Sequence, residues 1–158
     1  MKIKEIMTKK VICLHEDTTV KEAVEIFFKN NISGAPVVDK EDKILGMFTE
    51  ADIIRMTRTQ YKDIKMVFSQ QSMYHVDFKE ETKIKNLAEA YLEICNKKVS
   101  EGMSRQVIFV SPEDLVEEYI HIYVQKGINR IPVVADGKVV GIFTRGDVIK
   151  ALSRLKKE

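Results

Sequence analysis

The sequence repeats itself, and this repeat constrains the fold more than any other feature of the chain. Residues 6–57 align with residues 102–153 at an offset of 96, which becomes 95 after a turn that is one residue shorter in the second copy. The phrase GMFTEAD at 46–52 thereby falls on GIFTRGD at 141–147. A register held across a whole unit indicates duplication, so copy one and copy two are predicted to share one fold.

Each copy shows the same order of predicted elements. A short apolar stretch, VICL or VIFV, predicts a first strand, and a polar start signal then introduces an amphipathic helix. That helix is predicted to end near Asn30-Asn31 in copy one and near Gly127 in copy two. Two strands follow, with Asp136-Gly137 as a hairpin signal, and a second helix starts at each repeated phrase. The apolar helix positions are Val20, Ala23, Val24, Phe27 and Phe28 in copy one, and Leu115, Tyr119, Ile122 and Tyr123 in copy two.

A β-α-β-β-α unit of this size buries too little surface to be stable alone. We therefore predict an α+β fold in which two units, residues 1–57 and 102–158, pack with pseudo-two-fold symmetry. Residues 58–101 belong to neither copy and are predicted to form a structured, partly helical insert. Its apolar stripe predicts a helix, and apolar residues upstream are predicted to be partly buried. The stripe is Ile84, Leu87, Ala88, Tyr91, Leu92 and Cys95, and the upstream residues are Met66, Val67, Phe68, Met73, Tyr74 and Phe78.

Composition narrows the classes of function. Lys and Arg number 26 against 24 Asp and Glu, and this balance argues against a protein that mainly wraps nucleic acid. No apolar run approaches a membrane span, and the charged N-terminus MKIKEIMTKK lacks an apolar signal segment, so we expect a cytoplasmic protein. His15, His75 and His121 lack metal-ligand spacing, and no catalytic signature occurs, so we predict neither a metal site nor an enzyme. Cys13 and Cys95 are predicted to be buried free thiols.

The repeated phrase allows two interpretations from the residues alone. Thr49 and Thr144 are good N-cap residues, and Asp52 and Asp147 three positions later suit the positive end of a helix dipole. The same helix N-terminus also offers backbone N–H groups to a phosphate. An ionised aspartate can accept hydrogen bonds from both hydroxyls of a ribose. A helix cap and a ligand site are therefore both open interpretations.

The repeated unit resembles a CBS domain, and the chain resembles a CBS pair (a Bateman module). In copy one the matching segments are IMTKKVICLHEDTTVKEAVEIFFKNNISGAPVVD and ILGMFTEADII. In copy two they are GMSRQVIFVSPEDLVEEYIHIYVQKGINRIPVV and VVGIFTRGDVI. The combination of these segments, twice at the same spacing, is specific for the family but not for one ligand.

The resemblance implies that an adenosine-containing ligand, such as AMP, ADP, ATP or S-adenosylmethionine, binds in clefts between the two units. It implies that Asp52 and Asp147 bind ribose hydroxyls and that Thr49 and Thr144 bind phosphate. The opening segments are implied to contact the ligand through Thr8 and Ile12, and through Ser104 and Ile108. The segments before PVV are implied to line the base through Ile32, Gly34 and Pro36, and through Ile128, Arg130 and Pro132. Family modules usually pair, which implies a homodimer, and no cofactor is required.

The two copies differ inside the implied sites. Copy two carries Arg145 and Arg130 where copy one carries Glu50 and Gly34. A guanidinium group can bind phosphate through two hydrogen bonds, whereas a carboxylate repels it. Copy two is therefore predicted to form the tighter site for an anionic ligand, with Arg145 as a further ligand contact.

The leading hypothesis is a regulatory sensor that binds an adenosyl ligand and signals to a separate, unidentified partner protein. Binding can shift a conformation only if the ligand's affinity differs between the two arrangements. The alternative is a ligand-free structural module for dimerisation or docking, in which the TxxD residues only cap helices. A third hypothesis is nucleic-acid binding through a basic strip at Lys97-Lys98, or at Arg154 with Lys156-Lys157.

Overall fold

A computed structural model describes residues 1–57 and 87–155 of the protein. Copy one contains β1 (Leu14–His15), α1 (Val20–Asn30), β2 (Gly34–Val38), β3 (Ile44–Thr49) and α2, described over residues 50–57. Helix α3 is described over residues 87–94. Copy two contains α4 (Val116–Tyr119), α5 (Ile122–Gln125), β4 (Arg130–Ala135), β5 (Lys138–Thr144) and α6 (Arg145–Leu152). The predicted α+β class is confirmed.

Helix α1 begins and ends at the residues that the sequence predicts. The Thr19 hydroxyl accepts a hydrogen bond from the Glu22 N–H at 3.2 Å, and the Glu22 carboxylate accepts one from the Thr19 N–H at 2.8 Å. This reciprocal pair is a capping box, which satisfies two of the N–H groups at a helix start. The helix ends at Asn31, whose φ of 52° and ψ of 45° place it in the left-handed region.

The buried face of α1 is narrower than predicted. Val20, Ala23 and Phe27 are buried, whereas Phe28 is 90% exposed. Consecutive residues of a helix project about 100° apart, so Phe28 lies beside the face that Phe27 shares with Val20 and Ala23. Phe28 is therefore an apolar position of the predicted helix that the fold leaves exposed.

Copy two differs from the prediction of one continuous first helix. Helices α4 and α5 are four residues each, and Ile120 and His121 separate them. Both separating residues keep right-handed helical dihedral angles, so the interruption lies in the hydrogen-bond ladder. The segment from Tyr119 to Val124 consists of β-branched and aromatic residues and one histidine, all of which favour helix weakly.

The first strand of each copy is shorter than predicted. VICL contributes only its last residue to the two-residue strand β1. VIFV contributes a single parallel bridge, between Val110 and Val133. Turns follow at once, since the Thr18 N–H donates to the His15 carbonyl at 3.0 Å and the Asp114 N–H to the Ser111 carbonyl at 3.1 Å. These turns end the extended segments.

The strand pairs in both copies are confirmed. In copy one the three strands form a sheet of order β1-β2-β3, and in copy two β4 pairs antiparallel with β5. The register of β4 and β5 runs from Arg130 opposite Thr144 to Ala135 opposite Lys138. Asp136 and Gly137 have φ values of 51° and 77°. Positive φ at both central residues is what a type I′ hairpin turn requires.

The chain divides into two compact units that do not coincide with its two repeats. Among the described residues, compact unit A consists of residues 1–13, 36–46 and 105–155, and compact unit B of residues 14–35, 47–57 and 87–104. The opening segment of copy one thus belongs with copy two, and residues leading into copy two belong with the first helix of copy one. The predicted boundaries of the repeats and the insert stay predictions.

Backbone hydrogen bonds fix the exchanged segments within each compact unit. In unit A the Ile3 N–H donates to the Asp114 carbonyl at 2.9 Å, and the Lys4 N–H donates to the Pro112 carbonyl at 3.0 Å. In unit B the Val99 N–H donates to the Thr18 carbonyl at 2.8 Å. Each segment then makes a turn of 3-10 helix, at Ile3–Glu5 and at Val99–Glu101.

Each compact unit buries its own apolar residues. The core of unit A joins the exchanged segment to β4, β5 and the helices of copy two, and consists of Ile3, Ile6, Val110, Val116, Tyr123, Ile131, Val133, Phe143, Val148 and Ala151. In unit B the Phe27 and Phe48 rings pack with centroids 6.3 Å apart. Each core anchors one repeated phrase through its phenylalanine. Phe143 is fully buried in unit A, and Phe48 is fully buried in unit B.

The described end of the insert buries a set of residues that overlaps the predicted apolar stripe at Cys95 but not at Leu87 or Leu92. Ala90, Ile94 and Cys95 are buried, whereas Leu87 and Leu92 are 60% and 66% exposed. The buried face is set by docking at the start of α1, where the Lys21 N–H donates to the Cys95 carbonyl at 3.0 Å. The predictions for Ile84 and for the apolar residues between 66 and 78 lie outside the described residues.

Both cysteines are free thiols, as predicted. Cys95 is buried, and its Sγ donates to the Leu92 carbonyl at 3.1 Å. Cys13 is half-buried, which is less than predicted. Its segment follows the exposed residues Lys9 and Lys10 and precedes the short strand β1.

Candidate functional site

The phrase GIFTRGD caps helix α6 through a reciprocal pair of hydrogen bonds. The Thr144 hydroxyl accepts a hydrogen bond from the Asp147 N–H at 3.2 Å. Oδ2 of Asp147 in turn accepts from the Thr144 N–H at 2.9 Å and from its hydroxyl at 2.7 Å. The cap thus occupies one carboxylate oxygen of Asp147 and leaves Oδ1 to other donors.

The phrase GMFTEAD holds its aspartate in the same way. Oδ2 of Asp52 accepts from the Thr49 N–H at 2.8 Å and from the Thr49 hydroxyl at 3.1 Å. Asp52 is 2% exposed and Asp147 is 7% exposed. The two aspartates align in the repeat, and each buried carboxylate contacts the threonine at the start of its helix. The helix-cap interpretation of the phrase is confirmed, and the second oxygen of each carboxylate is the group that a ligand could use.

Thr8 lies beside the phrase of copy two, within compact unit A. Its hydroxyl donates to Oδ1 of Asp147 at 3.3 Å. Its backbone pairs with Ile142 through two hydrogen bonds of 2.9 Å, which extend the edge of β5. The opening segment of copy one thus supplies a hydroxyl to the carboxylate of copy two.

Compact unit B contains the matching arrangement. Ser104, which aligns with Thr8, pairs through two backbone hydrogen bonds of 2.9 Å with Met47, which aligns with Ile142. This places Ser104 two residues in strand register from Thr49. Sequence order suggests that each opening segment serves its own copy, and it could not reveal this exchange.

Met7 explains the glycine that a helix cap leaves unexplained. A Cβ atom at Gly141 would collide with Sδ of Met7, the residue before Thr8. Gly141 is buried in β5 next to Ile142. Gly141 therefore leaves room for the Met7 side chain beside the strand pairing of Thr8 with Ile142.

Arg145 holds the loop that precedes β4. Its Nη2 donates to the Tyr123 carbonyl at 3.1 Å and to the Ile128 carbonyl at 3.2 Å. The structure thus gives the predicted phosphate-binding arginine a structural contact within unit A. Of the other predicted residues here, Arg130 lies opposite Thr144 in the sheet, and Pro132 lies opposite Ile142.

Tyr123 packs against Phe143 of the repeated phrase and also forms a hydrogen bond with it. Its place in an apolar stripe predicted the packing but not the hydrogen bond. Its hydroxyl donates to the Phe143 carbonyl at 2.7 Å, and its ring meets the Phe143 ring edge-on with centroids 5.4 Å apart. Burial raises the pKa of Tyr123 far above its ordinary value, and Asp147 adds to the effect. The available signal was that a tyrosine on a core-facing helix usually finds a hydrogen-bond partner.

Arg55 distinguishes the phrase of copy one from that of copy two. Its Nη1 donates to Oδ1 of Asp52 at 2.6 Å, so both oxygens of that carboxylate have partners. The aligned residue in copy two is Lys150. Sequence analysis did not single out Arg55, although an arginine three residues after an aspartate on a helix is a pairing signal.

The remaining predicted residues lie in flanking segments. Gly34 and Pro36 lie in β2, and the Ser33 carbonyl beside Gly34 accepts from the N–H of Glu50 at the start of α2 at 2.9 Å. Ile32 and Ile12 are half-buried, and Ile108 is 37% exposed. Ile12, Ile32 and Ile108 lie outside the helices and strands.

Within residues 1–57 and 87–155, no group of three or more His, Cys, Asp or Glu side chains could hold a metal ion. His75 lies outside these residues. Across the same residues, no helix has both the length and the apolar character that crossing a membrane requires. Of the predicted basic strip, Lys98 forms an ion pair of 2.5 Å with Asp17, and Lys156 and Lys157 lie outside the described residues.

A charged cluster fastens the first residues of the chain in unit A. Lys2 and Lys4 donate to the Glu113 carboxylate at 2.7 and 2.6 Å. These two hydrogen bonds lower the pKa of Glu113 from its usual value to about 2. The cluster therefore helps to hold the segment that carries Thr8 to its place beside Asp147.

We expect the contribution of this cluster to stability to be lost in acid. A carboxyl group with a lowered folded-state pKa stabilises the fold above its unfolded pKa, and the effect disappears as the pH falls through the folded value of about 2. Glu113→Gln should therefore lower Tm slightly at pH 7, and the difference from wild type should vanish near pH 2. Melting curves between pH 7 and 2 check this, and a difference that is the same at both ends would contradict it.

The chain belongs to the CBS domain family. The sequence model of that family matches residues 3–58 and 97–154. The uncharacterised protein MJ1426 of Methanocaldococcus jannaschii is 36% identical over 154 residues, which cover 96% of this chain and 91% of the relative. The chloroplastic CBS domain-containing protein CBSX1 of Arabidopsis thaliana is 32% identical over 158 residues, which cover 97% of this chain and 64% of the relative.

Solved structures of CBS proteins share the fold. The structure of CBSX2 in complex with AMP has a TM-score of 0.70 at 21% identity, covering 99% of this chain and 98% of that one. The CBS domain pair of protein MJ0100, in complex with 5′-methylthioadenosine and S-adenosyl-L-methionine, has a TM-score of 0.65 at 25% identity. That match covers 97% of this chain and 96% of the other. The fold is therefore that of a CBS domain pair.

Proposed function

We propose that this protein is a regulatory sensor that binds an adenosine-containing ligand (AMP, ADP, ATP or S-adenosylmethionine) and signals to a partner protein. The observation that carries the proposal is the Asp147 carboxylate. It is buried at the start of α6, its Oδ2 is held by the cap, and its Oδ1 faces the Thr8 hydroxyl at 3.3 Å. An acceptor fixed in this way suits a sugar hydroxyl, which can donate a hydrogen bond.

The start of α6 supplies the complementary group for a phosphate. Backbone N–H groups in the first turn of a helix have no acceptor within the helix, and the helix dipole places partial positive charge there. In α6 this turn begins at Arg145 and Gly146, next to the Thr144 hydroxyl. A ribose on Asp147 and a phosphate at this turn would be neighbours, as they are in a nucleotide.

Two solved relatives support the choice of ligand class. CBSX2 was crystallised with AMP, and the MJ0100 domain pair with 5′-methylthioadenosine and S-adenosyl-L-methionine. All three ligands contain an adenine base on a ribose, whereas their 5′ groups differ. We infer that the adenosyl group is the common determinant and that the residues around the repeated phrase select the 5′ group. In this proposal Thr8, Thr49, Asp52, Ser104, Thr144 and Asp147 are the polar ligand contacts.

Exposed apolar side chains favour a second role, the formation of a homodimer or docking on a partner. Phe28 on α1 in unit B is 90% exposed, and Val124 on α5 in unit A is 85% exposed. These two positions align in the repeat at the offset of 96, so each copy leaves the same position of its first helix apolar and exposed. We propose that the sensor acts in the cytoplasm as a homodimer. The alternative function is a ligand-free dimerisation or docking module built on the same helices.

Thermal stability in the presence of ligands separates these two functions. A ligand that binds only the native state at about 100 times its Kd stabilises it by about 2.7 kcal/mol. For a chain of this size that raises Tm by about 5–10 °C. We expect such a shift with at least one of AMP, ATP and S-adenosylmethionine, and guanosine monophosphate serves as the matched control. If none of the three raises Tm, the ligand-free module is the correct function.

A further inference from the structure

The carboxylates of the two repeated phrases differ in the partner that their Oδ1 atoms bind. In copy two, Oδ1 of Asp147 meets a neutral hydroxyl, that of Thr8, at the long distance of 3.3 Å. In copy one, Oδ1 of Asp52 meets a charged guanidinium group, that of Arg55, at 2.6 Å. Both contacts involve a carboxylate acceptor, but the guanidinium group adds the attraction of a full positive charge, which a hydroxyl lacks. The oxygen that copy two offers to a ligand is thus already bound in copy one.

The position of Arg55 makes this contact adjustable. The Asp52 side chain is 3% exposed, whereas the Arg55 side chain is 65% exposed. The carboxylate is therefore fixed inside unit B by its cap, and the guanidinium group approaches it from the solvent side. A ribose hydroxyl that took the place of the guanidinium group would keep the buried carboxylate hydrogen-bonded, so the exchange would leave no buried charge unpaired. Arg55 thus covers this acceptor from the solvent side.

We propose that Arg55 competes with the ligand's ribose for Oδ1 of Asp52 and so makes the copy-one site the weaker of the two. The inference rests on the proposed adenosine-binding function, and it adds a cause for unequal sites. The ligand fills the Asp147 site first. It fills the Asp52 site only at a concentration high enough to displace Arg55, so the chain responds over two ranges of ligand concentration.

A different role for Arg55 makes the opposite prediction. If the guanidinium group turned towards the ligand to hold its phosphate, removing Arg55 would weaken the copy-one site. That loss would appear with AMP and not with adenosine, which has a ribose and no phosphate. Competition for the ribose, in contrast, affects adenosine and AMP equally, because both must displace the same contact.

The experiment is calorimetric titration of the full chain with AMP and with adenosine in an Asp147→Asn background, which leaves the copy-one site to be measured. Arg55→Ala should tighten binding of both ligands about 1.5-fold to fivefold, the range expected for removing a partly exposed ion pair. Arg55→Lys, which keeps the charge, should restore weak binding. Lys150→Ala, at the aligned position of copy two, is the matched control and should change neither affinity.

Arg55→Met serves as the control for effects on folding. It keeps the apolar stem without the guanidinium group and should reproduce the tighter binding. The inference is overturned if Arg55→Ala and Arg55→Met leave the affinities unchanged, or if they weaken AMP binding. It is also overturned if wild type binds AMP while the Asp147→Asn background binds none with or without Arg55. The proposed function itself fails only if wild type and all variants bind none of AMP, adenosine, ATP and S-adenosylmethionine.

Discussion

Asp147→Ala should remove the tight phase of AMP binding, weakening it at least about tenfold. The carboxylate is expected to accept hydrogen bonds from the ribose, and a bond to a charged group contributes about 1.5–3 kcal/mol. The ligand would also lose the acceptor that the fold holds rigidly through the Thr144 cap. Calorimetric titration of wild type and variant with AMP measures the change directly.

Two controls separate ribose recognition from loss of a helix cap. Asp114→Ala removes another carboxylate of copy two that holds a local backbone N–H, that of Ser111 at 2.8 Å, and should leave AMP affinity unchanged. The second control is 2′,3′-dideoxyadenosine monophosphate, which lacks both ribose hydroxyls. It should bind wild type weakly and lose little more with Asp147→Ala. An equal loss for both nucleotides would show that Asp147 does not read the ribose.

Phe143→Ala should be the most destabilising single change in compact unit A. Phe143 is the residue of the repeated phrase that is fully buried in the core of unit A, where its ring packs on Tyr123. Truncating a buried phenylalanine to alanine costs about 3–5 kcal/mol, because transfer energy is lost and a cavity remains. The Tyr123 hydroxyl would keep its acceptor, since that acceptor is the Phe143 backbone carbonyl.

Urea unfolding measures this prediction. The matched control is Ile149→Ala on α6, a truncation of a side chain that is 66% exposed, and it should change the free energy of unfolding by less than about 1 kcal/mol. A change for Phe143→Ala no larger than that of the control would contradict the packing described for unit A.

The features that the sequence predicted are those that local chemistry decides. The Asp136-Gly137 turn needs two residues that tolerate positive φ, and the Asn31 helix end needs one. The caps at Thr49 and Thr144 need a hydroxyl followed by a carboxylate three positions later. In each case a few neighbouring residues determine the structure, so the amino-acid sequence alone predicts it.

The features that it missed depend on residues distant in the chain. Thr8 reaches Asp147 across 139 positions, and Gly141 leaves room for the neighbouring Met7. The buried face at Ile94 is chosen by docking against α1, and helical periodicity alone selected the exposed Leu92 instead. The pairing of Arg55 with Asp52 is local, but Arg55 lies three residues beyond the phrase GMFTEAD and so outside the repeated pattern.

A crystal structure of the AMP complex would show whether Asp147 binds the ribose. We expect the ribose hydroxyls to donate to Oδ1 of Asp147 in place of the Thr8 contact, with the phosphate at the first turn of α6. At limiting AMP, Arg55 should still be bound to Asp52. A nucleotide bound away from both repeated phrases, or with its ribose turned away from Asp147, would show that Asp147 is not the ribose-binding group.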